Sequence, residues 1–165
     1  MDDYPLIEDH GLIGDLQTAA LVSTDGAVDW FCAPRFDSPS VFGGLLDKDA
    51  GGHCTVRPRH GVYATKQLYL PDTAILVTRY MTEAGAGEVH DFMPVTGTTV
   101  TDRHRLVRMV RCVRGRMTFE VEIAPGSTTG AARTGCTSPR TGRRSRPTTA
   151  PTSPCTRSGN RRTSG

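Results

Sequence analysis

Short apolar segments separated by turn residues recur through the first 125 residues of the chain. Residues 19–23 and 27–31 form two such segments, and Thr24-Asp25-Gly26 lies between them. An Asp-Gly pair between two apolar runs is typical of a β-hairpin, because glycine readily adopts a positive φ. The spacing therefore predicts a hairpin over residues 19–31.

Further strands are predicted at regular intervals along the same part of the chain. Residues 62–70, 74–80 and 88–93 are rich in β-branched, aromatic or alternating residues, and Gly85-Ala86-Gly87 is expected to break the chain before the last of them. Several short strands with turn signals and without a long amphipathic helix are typical of a sandwich. We therefore predict an all-β fold, a partial antiparallel β-sandwich.

The clearest alternation lies at residues 117–123. Met117, Phe119, Val121 and Ile123 are apolar, and the residues between them are polar. This pattern predicts an antiparallel strand with one buried and one solvated face.

Residues 103–114 allow two interpretations. Arginines recur at every third position from Arg105 to Arg114, among valines and a leucine. A basic helix that binds nucleic acid is one interpretation. A strand whose arginine stems pack on apolar surface, with their charged heads in water, is the other, and the β-rich context favours it. We therefore predict no specific nucleic-acid partner.

Composition changes abruptly at Pro125-Gly126. Residues 1–125 hold all 17 acidic residues and 12 of the 20 basic ones, a net charge of −5. Residues 126–165 hold eight arginines, no acid and none of Val, Leu, Ile, Met, Phe, Tyr or Trp. Such a segment cannot bury enough apolar area to offset the entropy of ordering. We predict a domain over residues 1–125 and a disordered basic tail over residues 126–165.

The residue types that most often carry chemistry show no spacing typical of a site. The five histidines and five cysteines are scattered and include no Cys-x-x-Cys pair, so neither a zinc site nor a disulfide framework is predicted. Gly43-Gly44 and Gly51-Gly52 lack the context of a phosphate loop, and residues 11–15 are interpreted as a turn. We predict no metal and no cofactor.

The chain contains no apolar run of membrane-spanning length, and its acidic first eight residues lack the apolar region of a secretory signal. We therefore expect a cytoplasmic location and no membrane partner.

One stretch, residues 29–42, is unusually rich in aromatic side chains. It contains the only tryptophan and three of the five phenylalanines, together with Arg35 and Asp37. Aromatic faces and planar hydrogen-bonding groups suit a sugar or a domain interface. The alternative is structural, with Trp30 in the core and Arg35 bonded to Asp37 or to a loop carbonyl.

Several segments in order resemble the N-terminal part of bacterial glycoside hydrolase family 15 proteins. They read Ile7-Glu8-Asp9-His10-Gly11-Leu12-Ile13-Gly14-Asp15-Leu16-Gln17-Thr18-Ala19-Ala20-Leu21-Val22-Ser23, Asp25-Gly26-Ala27-Val28-Asp29-Trp30, Pro34-Arg35-Phe36-Asp37-Ser38-Pro39-Ser40-Val41-Phe42, Gly51-Gly52-His53, Tyr69-Leu70-Pro71-Asp72-Thr73 and Asp91-Phe92-Met93-Pro94. The resemblance covers residues 4–125 and is closest to the trehalase-like N-terminal β-sandwich of glucoamylase- and trehalase-like enzymes.

The resemblance implies an accessory domain of an inverting α-glucosidase. The catalytic acid and base of this family are two glutamates in a separate (α/α)6 barrel, and no segment of this sequence resembles that barrel. We therefore assign no catalytic residue, and we expect the chain to be inactive alone, to lack part of its sandwich and to require the barrel as a partner for any α-glucoside substrate. A stand-alone module that binds carbohydrate or anions is the alternative.

The resemblance also implies a place for the aromatic stretch and an origin for the tail. Trp30, Arg35, Phe36 and Asp37 are expected at a substrate-pocket rim or a domain interface.

In this family, Arg-Phe-Asp-Tyr-Gly commonly follows the strand that matches residues 120–125. Residues 126–131 can be encoded by the codons GGT-TCG-ACT-ACG-GGC-GCG. When the same bases are read from the third base onward, they encode Phe-Asp-Tyr-Gly-Arg. We predict that residues 126–165 are translated out of frame, the alternative being a genuine basic arm.

Overall fold

The computed structural model describes residues 4–95, 97, 99–100 and 103–126. Among them, no helix is long and apolar enough to cross a membrane. A 3-10 turn spans Ile7–Asp9, and the strands are β1 His10–Gly14, β2 Ala19–Ser23, β3 Ala27–Cys32, β4 Ser40–Phe42, β5 Gly52–Pro58, β6 Val62–Tyr69, β7 Leu76–Thr82, β8 Gly85–Phe92, β9 Val107–Gly115 and β10 Phe119–Pro125. The predicted disorder of the tail beyond Gly126 lies outside the described residues.

The strands form two antiparallel sheets. Sheet A has the order β1-β2-β3-β5-β10, with β4 also paired to β3, and sheet B has the order β6-β7-β8-β9. Ile13, Val22 and Phe31 of sheet A pack in one buried apolar cluster with Leu76 of sheet B. The predicted all-β fold with two antiparallel sheets is therefore confirmed.

The hairpin predicted at residues 19–31 is formed by β2 and β3. Gly26 at its turn has a φ of +89°. A Cβ at this position would collide with the Tyr80 hydroxyl and the Val56 carbonyl oxygen. Glycine is thus required here both by the backbone conformation and by the close approach of β5 in sheet A and of Tyr80 from sheet B.

The glycines at residues 85–87 were predicted to break the chain, and this is wrong. They lie inside β8, and Gly87 is paired with Tyr80 on β7 and with Cys112 on β9. A Cβ at Gly87 would lie 2.9 Å from the Met117 sulfur and 2.9 Å from a ring carbon of Phe119. The missing side chain makes room for the start of β10, so the glycine reflects packing rather than a turn.

Residues 107–115 form a strand, β9, at the edge of sheet B. The helical interpretation of the arginine repeat is therefore wrong. The prediction that every arginine head stays in water also fails at one position, because the Arg108 side chain is only 7% exposed and faces a buried carboxylate.

Two segments of sheet A differ from the sequence interpretation. Residues 11–15, interpreted as a turn, lie mostly in β1, whose Ile13 is buried in the core. β5 was not predicted from the sequence. Its polar and apolar residues do not alternate, because Cys54, Thr55 and Val56 are all buried. A strand covered on both faces shows no period of two.

Candidate functional site

The loop that joins β3 to β4 carries three of the four residues singled out in the sequence. Its backbone forms a tight turn, in which the Ser38 amide donates to the Arg35 carbonyl oxygen at 3.0 Å. The Arg35 amide in turn donates to the Ser38 hydroxyl oxygen at 3.1 Å. The loop is therefore held by its own hydrogen bonds, which fixes the side chains that it presents.

Arg35 and Asp37 are paired on this loop. The guanidinium donates from Nε to Oδ1 and from Nη2 to Oδ2, each at 3.0 Å. Both side chains are 70% exposed, so water screens the pair and it adds little to the stability of the fold. The contact is the one that the structural alternative predicted, but its exposure leaves one face of the pair free for a second molecule.

Phe36, between these two residues, is 60% exposed. An exposed aromatic ring next to a planar ion pair is a common feature of contact surfaces. The loop thus carries an exposed aromatic ring and an exposed guanidinium–carboxylate pair at consecutive positions.

Trp30 lies on the outer face of sheet A rather than in the core. It is half-buried, and it is paired with Leu21 of β2, which is itself paired with Leu12 of β1. Residues opposite one another in antiparallel strands share a face, so these three side chains form a ladder across the sheet. Leu12 at the end of the ladder is 56% exposed. We call Leu12, Leu21 and Trp30 the outer apolar stripe.

A buried histidine–carboxylate pair lies next to Trp30. His10 Nε2 is 2.9 Å from Asp29 Oδ2, and His10 Nδ1 is 2.8 Å from the Leu6 carbonyl oxygen. Burial lowers the pKa of His10, but the hydrogen bond and charge of Asp29 outweigh it and raise the pKa above 6.5. The pair joins β1 to β3 and was not visible in the sequence, where the two residues stand 19 positions apart.

A second pair of this kind joins the β1–β2 turn to the segment before β9. His104 Nδ1 lies 2.5 Å from Asp15 Oδ2, and both side chains are almost fully buried. Burial raises the pKa of Asp15, but the hydrogen bonds from His104 and the Thr18 and Gln17 amides outweigh it and lower the pKa. No local signal could reveal a pair separated by 89 positions.

A groove of about 760 Å³ opens elsewhere on the domain, between the β5–β6 turn and the start of β10. Its wall includes Arg59, His60, Tyr63, Glu83 and Arg116. None of the four site residues predicted from the sequence lines it. Trp30, Arg35, Phe36 and Asp37 therefore belong to a surface rather than to this groove.

The candidate site does not have the groups that glycoside hydrolysis needs. An inverting hydrolase places two carboxyl groups roughly 6.5–9.5 Å apart around the scissile bond. The predicted site contains one carboxylate, Asp37, and Arg35 holds both of its oxygens. The arrangement suits binding or contact rather than acid–base catalysis. Among the described residues, no group of three or more His, Cys, Asp or Glu side chains could hold a metal ion.

Comparison with protein families matches residues 2–156 to the trehalase-like N-terminal family. Relatives include a trehalase from Mycolicibacterium smegmatis, 36% identical over 137 residues, and one from Mycobacterium tuberculosis, 35% identical over 137 residues. Each alignment covers 74% of this chain and 20% of the relative. A trehalase from Thermoplasma volcanium is 39% identical over 97 residues, which are 57% of this chain and 15% of the relative.

The chain thus spans about a fifth of the length of these trehalases. No solved structure matches it significantly.

Proposed function

Because the chain belongs to the trehalase-like N-terminal family, we propose that its sandwich is the accessory domain of an α-glucosidase of the trehalase type. The observation that carries this proposal is the match over residues 2–156, together with trehalases that are about five times as long as the matched region. In this proposal the chemistry, hydrolysis of an α-glucosidic bond with inversion, belongs to a separate (α/α)6 barrel that contains both catalytic carboxyl groups.

Trehalose is the substrate that we propose for the complete enzyme. The relatives described above are trehalases, which favours trehalose over a maltose-type glucan. A glucoamylase type is the second possibility within the same family, and the determinants that separate the two sugars are expected in the barrel. The enzyme is proposed to act in the cytoplasm.

The outer apolar stripe and the Arg35–Asp37 loop are the proposed contact with that barrel. Support comes from the exposure of Leu12 on sheet A and of Phe36 and the Arg35–Asp37 pair on the β3–β4 loop, which offer apolar, aromatic and charged groups to a partner. A loop held by its own hydrogen bonds presents these groups in a fixed geometry. The proposed role is to form a pocket rim or a domain interface, with no proton transfer.

The composition break at Pro125 is proposed to mark a change of reading frame. The family match extends to residue 156, past the break, so the match itself does not locate the domain boundary. Support comes from the loss of every large apolar residue after Pro125 and from the Phe-Asp-Tyr-Gly-Arg reading two bases later. The domain boundary at residue 125 is part of the same proposal.

A stand-alone binding module is the second candidate function. The exposed ring of Phe36 favours carbohydrate binding, and the eight arginines of residues 126–165 favour anion binding. An arginine-rich arm that binds a polyanion releases counterions, so its affinity falls steeply with added salt.

Calorimetry and hydrolysis assays on the purified chain distinguish the two. The accessory-domain proposal predicts no hydrolysis of trehalose or maltose above a buffer blank and no saturable binding of either sugar. Saturable sugar binding that Phe36→Ala abolishes, with Tyr63→Ala as the control for another exposed ring, would support the module instead. Inverting hydrolysis that survives purification to homogeneity would contradict both.

A further inference from the structure

The sandwich has one open side, bounded by the last strands of its two sheets. Among the described residues, β10 pairs only with β5 at the edge of sheet A, and β9 pairs only with β8 at the edge of sheet B. Three residues join β9 to β10, and Met117 and Phe119 at that junction pack against the buried cluster of Val56, Tyr80 and Val89, which has members in both sheets. Both edges therefore lie on the same side of the domain, which we call the open side.

Side chains that point into the sandwich are exposed along the open side. Val121 is paired with the buried Val56, and Ile123 with the buried Cys54, so both share the inner face of sheet A. Even so, Val121 is 63% exposed and Ile123 is 59% exposed.

Sheet B shows the same feature at its own edge. Val110 is paired with Val89, which is fully buried, yet Val110 is 44% exposed. Cys112, paired with Gly87 on the same face, is also exposed. Core positions on both edge strands thus lack a covering layer within the described residues, which is unfavourable in water.

The outer faces of the two edge strands carry opposite charges. Glu120 and Glu122 stand on the outer face of β10, where Glu120 lies 3.1 Å from Arg59 and Glu122 lies 3.6 Å from His53, and both carboxylates remain about half exposed or more. Arg111 and Arg114 stand on the outer face of β9, where Arg111 is paired with Glu88 and Arg114 with Ala86. A register shift between Ala86 and Gly87 places these two arginines, three positions apart, on the same face. Opposite charges across neighbouring antiparallel strands stabilise their pairing.

The chain itself offers little to cover the open side. Residues 126–165 contain no large aliphatic or aromatic residue. The far edge of sheet A differs, because the Tyr69 hydroxyl accepts from the Leu12 amide and donates to the Leu12 carbonyl oxygen, each at 2.8 Å. One edge is therefore capped by a side chain, whereas the edge at β10 is not capped in this way by any described residue.

The two edge strands run in opposite directions. Arg108, near the start of β9, donates to the Cys54 carbonyl oxygen, and Cys54 is paired with Ile123, near the end of β10. A rotation of 180° about an axis parallel to the strands preserves strand direction. The same rotation brings β10 of one copy beside β9 of a second copy in the antiparallel sense.

We propose that the open side is where a second copy of this chain docks, in a two-fold dimer. Sheet A of each copy continues into sheet B of the other through antiparallel pairing of β10 with the other copy's β9. Val121 and Ile123 then meet Val110 and Cys112 of the other copy in a shared core, while Glu120 and Glu122 meet its Arg111 and Arg114. Such an interface is isologous, so both strand junctions form at once and no edge is left to recruit a third copy.

Charge reversal tests the pairing directly. One variant carries Glu120→Arg and Glu122→Arg, and a second carries Arg111→Glu and Arg114→Glu. In a dimer of either variant, both junctions bring like charges together. In a mixture of the two variants, and in a chain that carries all four substitutions, both junctions again bring opposite charges together.

The measurement is light scattering coupled to size exclusion over a concentration series of the full chain. We expect twice the chain mass of 17.8 kDa for the wild type, the mass of one chain for each variant alone, and twice that mass for the mixture and the four-substitution chain. A control with Glu8→Arg and Asp49→Arg, two exposed positions in other parts of the chain, is expected to remain dimeric.

Circular dichroism of each variant establishes that it is folded. A dimer in the mixture further shows that the same two variant chains can associate when their charges are complementary. A wild type with the mass of one chain at every concentration would overturn the proposal. Dimers that persist in both charge variants, or an association that the control also abolishes, would overturn it as well.

Discussion

The Arg108 guanidinium holds the Asp91 carboxylate by two hydrogen bonds, from Nε to Oδ1 at 2.8 Å and from Nη2 to Oδ2 at 3.1 Å. The same guanidinium also donates to the carbonyl oxygens of Cys54 and Gly26, at 2.6 and 2.9 Å. Arg108 and Asp91 belong to sheet B, and the two carbonyls belong to sheet A and its hairpin. One buried side chain therefore ties the two sheets together.

Replacing Arg108 is expected to destabilise the domain strongly. Asp91 is fully buried, and Arg108→Ala would leave its charge unpaired. Removing one partner of a buried ion pair costs about 3–5 kcal/mol in the free energy of unfolding. Urea unfolding followed by circular dichroism measures the loss. Lys66→Ala, at an exposed site on β6 of the same sheet and away from the proposed dimer interface, is the control and is expected to change stability by less than about 0.5 kcal/mol. Equal effects of the two substitutions would refute the role given to Arg108.

The His10–Asp29 pair is expected to make stability depend on pH. The folded pKa of His10 is raised above 6.5, so its contribution is complete below that value and is lost as the pH rises through the folded pKa. The pKa values of Asp15 and Glu88 are lowered, so their contributions are lost only at acid pH. Burial raises the pKa of the Cys32 thiol, so its effect on stability begins only near pH 9, and the window from about pH 6 to about pH 8 reports on His10.

Urea unfolding across that window compares the wild type with His10→Asn and with His60→Asn, an exposed control. We expect the free energy of unfolding to fall with pH in the wild type and in the control, and to fall less in His10→Asn. An unchanged slope in His10→Asn would show that Asp29 does not stabilise protonated His10.

The loop pair is expected to matter for contact and not for folding. Arg35→Ala and Asp37→Ala each remove a side chain that is 70% exposed, so the free energy of unfolding should change by less than about 0.5 kcal/mol. In an intact enzyme that carries this domain, we expect kcat/KM to fall by up to about 100-fold, because a displaced rim misplaces the substrate. Lys66→Ala on sheet B is the control. Unchanged kinetics for both loop variants would remove the loop from the site.

The gene sequence tests the proposed frame change. We expect one inserted or deleted base near the codons for Pro125 to Gly130, and an alternative frame beyond it that encodes acidic and large apolar residues. Repeated reads of both DNA strands through this region provide the measurement. An unambiguous in-frame read, with no such alternative frame downstream, would establish the basic tail as genuine.

The local pattern of apolar and polar residues was sufficient to predict the strands whose two faces differ in polarity. The β2–β3 hairpin was predicted because Asp25-Gly26 separates two apolar runs. β10 was predicted because apolar and polar residues alternate along it. Val121 and Ile123 are nevertheless exposed, although the alternation predicts that their face is buried. The glycines of β8 misled the prediction, since a residue without a side chain marks a turn and a close packing contact equally well.

The site was only partly accessible to sequence reasoning. The Arg35–Asp37 contact is local and was anticipated as one alternative, whereas the His10–Asp29 and His104–Asp15 pairs join distant segments and depend on the register of the sheets. The place of Trp30 in a ladder with Leu12 and Leu21 likewise follows from strand pairing, which composition does not specify. Side-chain pairs that depend on tertiary contacts could therefore be identified only from the three-dimensional structure.

The central claim is that this sandwich serves a catalytic domain and does not itself hydrolyse sugar. The most direct measurement is trehalose hydrolysis by a chimera in which residues 4–125 replace the matching region of the Mycolicibacterium smegmatis trehalase. The truncated trehalase without that region and the isolated chain are the controls. We predict hydrolysis by the chimera and none by either control. A folded chimera that is as inactive as the truncated enzyme, or hydrolysis by the isolated chain, would contradict the account.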